Sequence, residues 1–164
     1  MRLAIPSATL VSLAVAGTAL LAGLAPAVGA QGGDEPPPCT TATAYPDAFN
    51  ITPPATGLPR ELSAFSGVWE GTWSTPSGPL PARLIVEAID GATARLIYAN
   101  GAGAGTSPGV FRTTARVLPD NRLRWDSGIG PFTFTMSSDL STIQGSLDNR
   151  TGLSTVVLTR CSWQ

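Results

Sequence analysis

The sequence predicts an all-β protein built on a single eight-stranded antiparallel up-and-down barrel. From Phe65 onward, short segments alternate apolar and polar residues with a period of two, which is typical of strands that bury one face. Gly, Pro, Asn, Asp or Ser residues separate these segments, and no segment has a helical period of useful length. The number of segments is even, so the last strand can lie antiparallel beside the first and close the sheet.

The eight strand-like segments follow one another with short connections. They span residues 68–74, 80–89, 93–99, 110–118, 122–126, 132–137, 142–147 and 153–161. The Asp90-Gly91 dipeptide and the longer turn at 148–152 favour hairpins between antiparallel neighbours. Two sheets packed face to face as a sandwich would satisfy the same pattern, and the sequence leaves this alternative open.

Three segments divide the chain. Residues 1–30 have the pattern of a signal peptide, because Met1-Arg2 precedes a long uncharged apolar run that ends in small residues. Cleavage is predicted after Ala30, with Ala27 as an earlier alternative. An uncleaved membrane anchor is the competing interpretation, although the Pro and Gly residues within the run make a poor permanent helix. Residues 31–61 form a Pro-, Thr- and Ala-rich linker or arm that lacks the apolar pattern to order itself, and residues 62–164 form the barrel domain.

The two cysteines, Cys39 and Cys161, both lie in the part predicted to be exported to a secreted or periplasmic location. In an oxidising compartment, two thiols near opposite ends of a domain usually pair. The sequence therefore predicts one disulfide between the arm and the last strand. Intermolecular pairing and free thiols are the alternatives.

Composition excludes most familiar active sites. The chain contains no His and no Lys, which removes histidine acid–base chemistry, histidine-activated nucleophiles, most catalytic zinc sites and lysine Schiff bases. Only carboxylates remain, and alternation places Glu70 on the face opposite the neighbouring tryptophans, toward solvent. Arg83 and Glu87 share a strand face as an ordinary surface charge pair. We therefore predict a non-catalytic protein without a cofactor or a metal site.

The first and last strands carry a further pattern. The first strand begins Gly67-Val68-Trp69, repeated in register as Gly71-Thr72-Trp73, and Arg160 lies near the end of the last strand. A Gly-x-Trp at this position, with a basic residue on the last strand, resembles the calycin superfamily, the lipocalin-like barrels. The resemblance implies that Trp69 closes one end of the barrel and that Arg160 packs across its ring. The resemblance extends over about residues 65–161. The first connection is shorter than in a lipocalin, so the resemblance supports a prediction of the fold more than one of the function.

Barrel topology also places a candidate binding site. Alternate connections gather at one end, so those after the first, third, fifth and seventh strands lie opposite Trp69 and Arg160. The competing interpretation is that side chains fill the interior, since eight-stranded barrels are about as wide as side chains can fill. The predicted ligand-binding residues are the inward-facing aromatic residues near this mouth: Trp73, Tyr98, Phe111, Trp125 and Phe132.

These observations lead to two functional hypotheses. The first is an exported, non-catalytic binding module for a small apolar molecule. The second is a protein-interaction domain, such as an inhibitor of, or accessory to, an exported enzyme. The net charge of −1 offers no basic surface for nucleic acid, and no stable membrane span is expected after signal cleavage. The sequence does not indicate an oligomeric state.

Overall fold

The computed structural model describes residues 35–163 and consists mainly of a closed barrel of eight antiparallel strands. Each strand pairs with its neighbours in sequence, and the last strand pairs with the first. The predicted fold class is therefore confirmed, and the sandwich alternative is excluded. The elements are α1 (Arg60–Ser63), β1 (Gly67–Thr75), β2 (Gly78–Ile89), β3 (Thr93–Asn100), β4 (Gly109–Val117), β5 (Leu123–Ser127), β6 (Gly130–Met136), β7 (Thr142–Asn149) and β8 (Gly152–Cys161).

The predicted signal peptide over residues 1–30, with its cleavage sites, lies outside the described residues. Over residues 35–163, the structure contains no helix long and apolar enough to cross a membrane. The short helix α1 immediately precedes the barrel and buries Leu62 against it. A four-residue helix has no hydrophobic period that a sequence pattern could reveal, which is why the sequence did not predict it.

The period-two pattern directs one set of side chains from every strand into the barrel. These side chains form one core, and each strand contributes at least one residue that is 1% exposed or less. Burial of each large member stabilises the fold by about 1.5 to 3 kcal/mol relative to an exposed position. One core residue from each strand, in order from β1 to β8, is Trp69, Leu84, Leu96, Ala115, Leu123, Phe134, Ile143 and Leu158.

The arm is ordered over residues 35–59, where it follows the outer surface of the barrel. The Cys39 amide donates to the carbonyl of Ser162, and the Thr52 amide donates to the carbonyl of Glu87. The arm also covers a second apolar cluster on the outside of the sheet, which includes Ile85 and Ile97. The sequence of the arm by itself has too few apolar residues to fix a conformation. The barrel supplies the apolar surface and the backbone hydrogen-bond partners that the arm lacks.

This cover changes the environment of Glu70 and Arg83. Strand alternation predicts that Glu70 faces solvent and that Arg83 and Glu87 form a surface charge pair, and both predictions are wrong. Glu70 and Arg83 form an ion pair of 3.1 Å beneath the arm, with the Arg83 side chain 2% exposed. Glu87 instead pairs with Arg112, at 3.3 Å.

Two arm residues hold the Glu70 carboxylate in place. The amides of Thr40 and Thr41 each donate to it, at 2.8 Å. Burial alone would raise the pKa of Glu70, but these amides and the Arg83 guanidinium stabilise the charged form, so the pKa lies below its usual value. Glu70 therefore ties the arm to the barrel through its negative charge.

The predicted disulfide is confirmed. Cys39 and Cys161 are bonded with their Cα atoms 4.9 Å apart and a sequence separation of 122 residues. The bond joins the start of the described arm to the end of β8. The same region is reinforced by the Ser162 amide, which donates to the carbonyl of Pro37 at 2.8 Å.

Breaking this disulfide should destabilise the barrel. We expect reduction, or the double substitution Cys39→Ser with Cys161→Ser, to lower the free energy of unfolding by about 2 to 5 kcal/mol, because a long cross-link restricts the unfolded chain. Urea denaturation of oxidised and reduced protein measures this difference. The double-serine variant, which reductant should not affect, is the control. Equal unfolding midpoints for the oxidised and reduced forms would contradict the prediction.

The Glu70 carboxylate should make stability depend on pH. Because its pKa is lowered in the folded state, its stabilisation is complete above the unfolded-state value near 4.5 and is lost as pH falls through the folded-state pKa. At neutral pH, Glu70→Gln should lower the free energy of unfolding by about 3 kcal/mol, because Arg83 then stays buried without its carboxylate. The difference in the free energy of unfolding between this variant and the native protein should shrink at acidic pH, because Glu70 is then protonated in the native protein.

The matched control is Glu87→Gln, which removes an ion pair whose Arg112 side chain is half exposed. This substitution should cost less than about 1 kcal/mol. Denaturation curves for the three proteins across acidic and neutral pH test both expectations. A Glu70→Gln effect no larger than that of Glu87→Gln would show that the arm is not held in this way.

Candidate ligand-binding cavity

The barrel is closed at the end where β1 begins and β8 ends. The Arg160 guanidinium lies over the Trp69 ring, with its carbon 4.2 Å from the ring centroid. It donates to the carbonyls of Ser66, at 2.8 Å, and Ala64, at 2.6 Å. The Trp69 indole N–H donates to the carbonyl of Phe65 at 2.8 Å. These bonds tie the segment before β1 across the end of the barrel.

Gly67 makes room for this arrangement. It has a φ of +126°, a backbone conformation that favours glycine, and a Cβ atom here would collide with the Arg160 guanidinium. Burial lowers the pKa of Arg160, but an arginine stays charged at any ordinary pH. The closed end therefore combines a buried aromatic ring, a cation above it and backbone carbonyls that accept from both.

The opposite end contains a cavity of about 490 Å³. The five aromatic side chains predicted at the mouth all line it. Of the two alternatives left by the sequence, the packed interior describes Trp73, Tyr98 and Phe132, which are buried in the core, and the open pocket lies beside the more exposed Phe111 and Trp125. The five aromatic residues are Trp73, Tyr98, Phe111, Trp125 and Phe132, and the apolar lining is completed by Leu80, Ile129 and Leu147.

Phe132 lies at the centre of the aromatic lining. Its ring stacks on Trp125, with centroids 4.6 Å apart and planes 12° apart. Trp73 meets it edge-on at 5.6 Å, and Tyr98 lies 5.4 Å away. Such arrangements are favourable beyond the burial of area, so the walls are preorganised. Phe111 is farther out, 6.4 Å from Tyr98 and 49% exposed, which places it at the rim.

The wall of the barrel is incomplete beside the cavity. β4 and β5 pair at only two positions, Arg116 with Arg124 and Val117 with Leu123. The rest of β4, residues 109–115, has no partner in β5, although it pairs fully with β3. The backbone of β4 therefore has an open edge next to Phe111, and the cavity lining includes residues on both sides of this gap, Thr113 of β4 and Ser127 of β5.

Two polar groups lie in the aromatic wall. The Trp73 indole N–H is buried and has no hydrogen-bond partner within the described part of the chain. Burial raises the pKa of Tyr98 to about 12, a shift that the nearby Trp73 indole partly opposes by favouring the phenolate. Tyr98 is therefore a neutral hydroxyl group at neutral pH.

The other polar side chains of the lining mostly bond within their own turns. The Thr75 hydroxyl donates to the carbonyl of Gly78, and the Ser127 hydroxyl donates to that of Gly130. The Asn100 amide donates to the carbonyls of Gly101 and Ser107, holding the glycine-rich loop over the rim. These bonds fix the turns around the mouth and leave few polar groups free to contact a ligand.

The charged residues of the lining are engaged elsewhere. Arg112 pairs with Glu87 and donates to the carbonyl of Ala48 in the arm. Asp126 pairs with Arg116 and Arg124, both at 2.9 Å. Neither residue directs an uncompensated charge into the cavity. A site of this kind suits a neutral ligand better than an ion.

Only one group of three potential metal ligands is found in the described range 35–163, formed by Cys39, Cys161 and Glu70. The two sulfur atoms are joined in the disulfide, and the carboxylate is engaged with Arg83 and the arm. These atoms are therefore committed to holding the arm.

The sequence analysis missed several lining residues that are not aromatic. Leu80, Leu147 and Ser154 lie at even spacing from buried core residues of their own strands, so strict alternation could have included them. Ile129 belongs to the turn after β5, which carries no period-two signal. Its position depends on how the turns gather around the mouth.

Comparison with known proteins provides no functional relative. No protein-family model matches the chain, and no curated protein matches it. Among solved structures, the chain is similar to a redesigned β-barrel, with 14% sequence identity and a TM-score of 0.49, over 65% of this chain and 100% of that one. The class of the protein is given by its own fold: a closed eight-stranded antiparallel β-barrel with an open pocket at one end.

Substitution of Arg160 should test the closed end. Arg160→Lys keeps the charge but not the two bonds of the planar guanidinium, so we expect the free energy of unfolding to fall by about 1.5 to 3 kcal/mol. Arg150→Lys, in the turn between β7 and β8, is the control and should change stability by less than about 0.5 kcal/mol. Chemical denaturation measures both. Equal effects of the two substitutions would mean that the guanidinium does not secure this end.

Proposed function

We propose that this protein is an exported, non-catalytic binding module that holds a small apolar molecule in the open half of its barrel. The observation that carries the proposal is the cavity of about 490 Å³ lined by five aromatic side chains. Ligand sites in proteins typically measure about 300 to 1,000 Å³ and combine mostly apolar walls with a few polar groups. The cavity has both properties.

Two further features support this proposal. The disulfide favours a protein that works in an oxidising compartment, in agreement with the apolar leader predicted from the sequence. The Gly-x-Trp start of β1 and the contact of Arg160 with Trp69 support kinship with the calycin barrels. With no histidine or lysine in the chain, we propose that the ligand is bound and released unchanged.

Filling the cavity should abolish binding. The neutral fluorescent probe N-phenylnaphthylamine gains emission in apolar surroundings, so titration measures its affinity. Ser154 lines the cavity and is buried, and Ser154→Phe should weaken binding at least about tenfold, corresponding to about 1.4 kcal/mol. Leu153→Phe is the matched control, because the adjacent side chain is 61% exposed and should not affect binding.

The outcomes separate clearly. Loss of probe binding in Ser154→Phe alone, in a protein that still unfolds cooperatively, supports the cavity as the site. Equal affinity in the native protein and both variants would place the probe elsewhere on the surface. No binding to the native protein by this or other neutral aromatic probes would overturn the proposal.

The second candidate function is binding of a protein partner, and the open edge of β4 favours it. An extended segment of another protein could pair with residues 109–115 and place an apolar side chain between Phe111 and Ile129, which are both exposed. Phe111→Asp and Ile129→Asp should then abolish a stoichiometric complex with a purified exported partner. Val157→Asp, at an exposed position on β8, is the control. Equal binding by all three variants would exclude this edge.

A further inference from the structure

We propose that the Tyr98 hydroxyl donates a hydrogen bond to a carbonyl-type oxygen of the ligand, and that the Trp73 indole N–H orients this hydroxyl from behind. The ligand class is thus a neutral, largely aromatic or aliphatic molecule with one hydrogen-bond acceptor at the end that enters first. This inference rests on the proposed function and adds the chemistry of the bound molecule.

The first step concerns the Trp73 N–H. This group can only donate, and it is buried with no partner within residues 35–163. An unpaired buried donor costs about 1 to 3 kcal/mol. The Trp73 and Tyr98 side chains both line the cavity, and both rings pack against Phe132, with centroids 5.6 and 5.4 Å away. A small adjustment of either side chain would let the Tyr98 oxygen accept from Trp73.

The second step follows from that arrangement. A hydroxyl group has one proton to donate and two lone pairs to accept. When the Trp73 N–H occupies one lone pair of Tyr98, the hydroxyl proton is free to turn toward the cavity that both residues line. A donor that already accepts a bond is also polarised into a better donor. The aromatic wall therefore offers one oriented donor.

The third step excludes charged ligands. In the described lining, Arg112 and Asp126 are each compensated by ion pairs outside the cavity. Burial keeps Tyr98 protonated, because its pKa is raised to about 12. A carboxylate or an ammonium group placed among these rings would lose its hydration without gaining a counter-charge. A ketone, ester or amide oxygen needs only the donor that Tyr98 provides.

The experiment uses two ligands of the same shape that differ in one atom group. Acetylnaphthalene carries a carbonyl oxygen where isopropenylnaphthalene carries a methylene group. Calorimetric titration gives the ratio of their two affinities for each protein, and differences in solubility cancel when ratios are compared between proteins. In Tyr98→Phe, the preference for the ketone should fall about 3- to 10-fold relative to the native protein, which is the effect of one neutral hydrogen bond.

Two variants refine the assignment. Trp73→Phe should reduce the preference for the ketone by a smaller factor, because the hydroxyl remains but loses its orienting partner. Trp125→Phe is the matched control, since it also exchanges a cavity-lining indole for a phenyl ring. Because Trp125 belongs to the lining, this substitution should lower the affinities for both ligands together and leave their ratio unchanged. In the native protein, the indole N–H proton resonance of Trp73 should shift on adding the ketone and shift less on adding the hydrocarbon.

Each result has one meaning. An unchanged affinity ratio in Tyr98→Phe, with both ligands still bound, overturns this inference and leaves the binding function standing. A fall in Trp125→Phe equal to that in Trp73→Phe overturns the role given to the Trp73 N–H, because the preference would then follow the loss of any cavity-lining indole. If neither ligand binds the native protein, the proposed function fails, and the inference fails with it.

Discussion

Closure of the sheet between β1 and β8 is the constraint on which the rest of the structure depends. Once eight strands close, the width of the interior is fixed by strand number and tilt, and every second side chain must fit inside it. Trp69 and Arg160 close the end where β1 begins. Toward the other end, the rings of Trp73, Tyr98 and Phe132 are buried in the same core, and the pocket opens beside the exposed Phe111 and Ile129. One barrel therefore has a closed end and an end with an open pocket.

The outer face is organised by a different interaction. The disulfide fixes the arm at Cys39. Next to it, the carboxylate of Glu70, which is paired with Arg83, accepts hydrogen bonds from the amides of Thr40 and Thr41. Beyond these contacts, the arm covers Ile85 and Ile97 on the outside of β2 and β3. An apolar outer surface there would otherwise be exposed. The arm thus stabilises the side of the barrel where the sheet is fully paired, while the open edge of β4 stays uncovered by β5.

The chemistry of the cavity follows from what the chain lacks and from how its charges are placed. The described charged residues near the mouth are paired outward with other charges, so the interior is apolar apart from a few neutral groups. Trp73 and Tyr98 bring two of these groups, an indole N–H and a hydroxyl, into the aromatic wall. A site with this composition is suited to selecting a neutral ligand by shape and by a single acceptor.

The sequence by itself determined the strands, their antiparallel order, the disulfide and the inward direction of the five aromatic side chains. These features depend on local alternation, turn residues and a count of cysteines, all of which are visible along the chain. The tertiary structure decided where the pocket opens, because a pocket depends on the combined volume of residues from eight strands. It also decided that Glu70 is buried, since the arm that covers it lies 29 residues away in sequence. The open edge of β4 likewise depends on the register of β5, which no local pattern specifies.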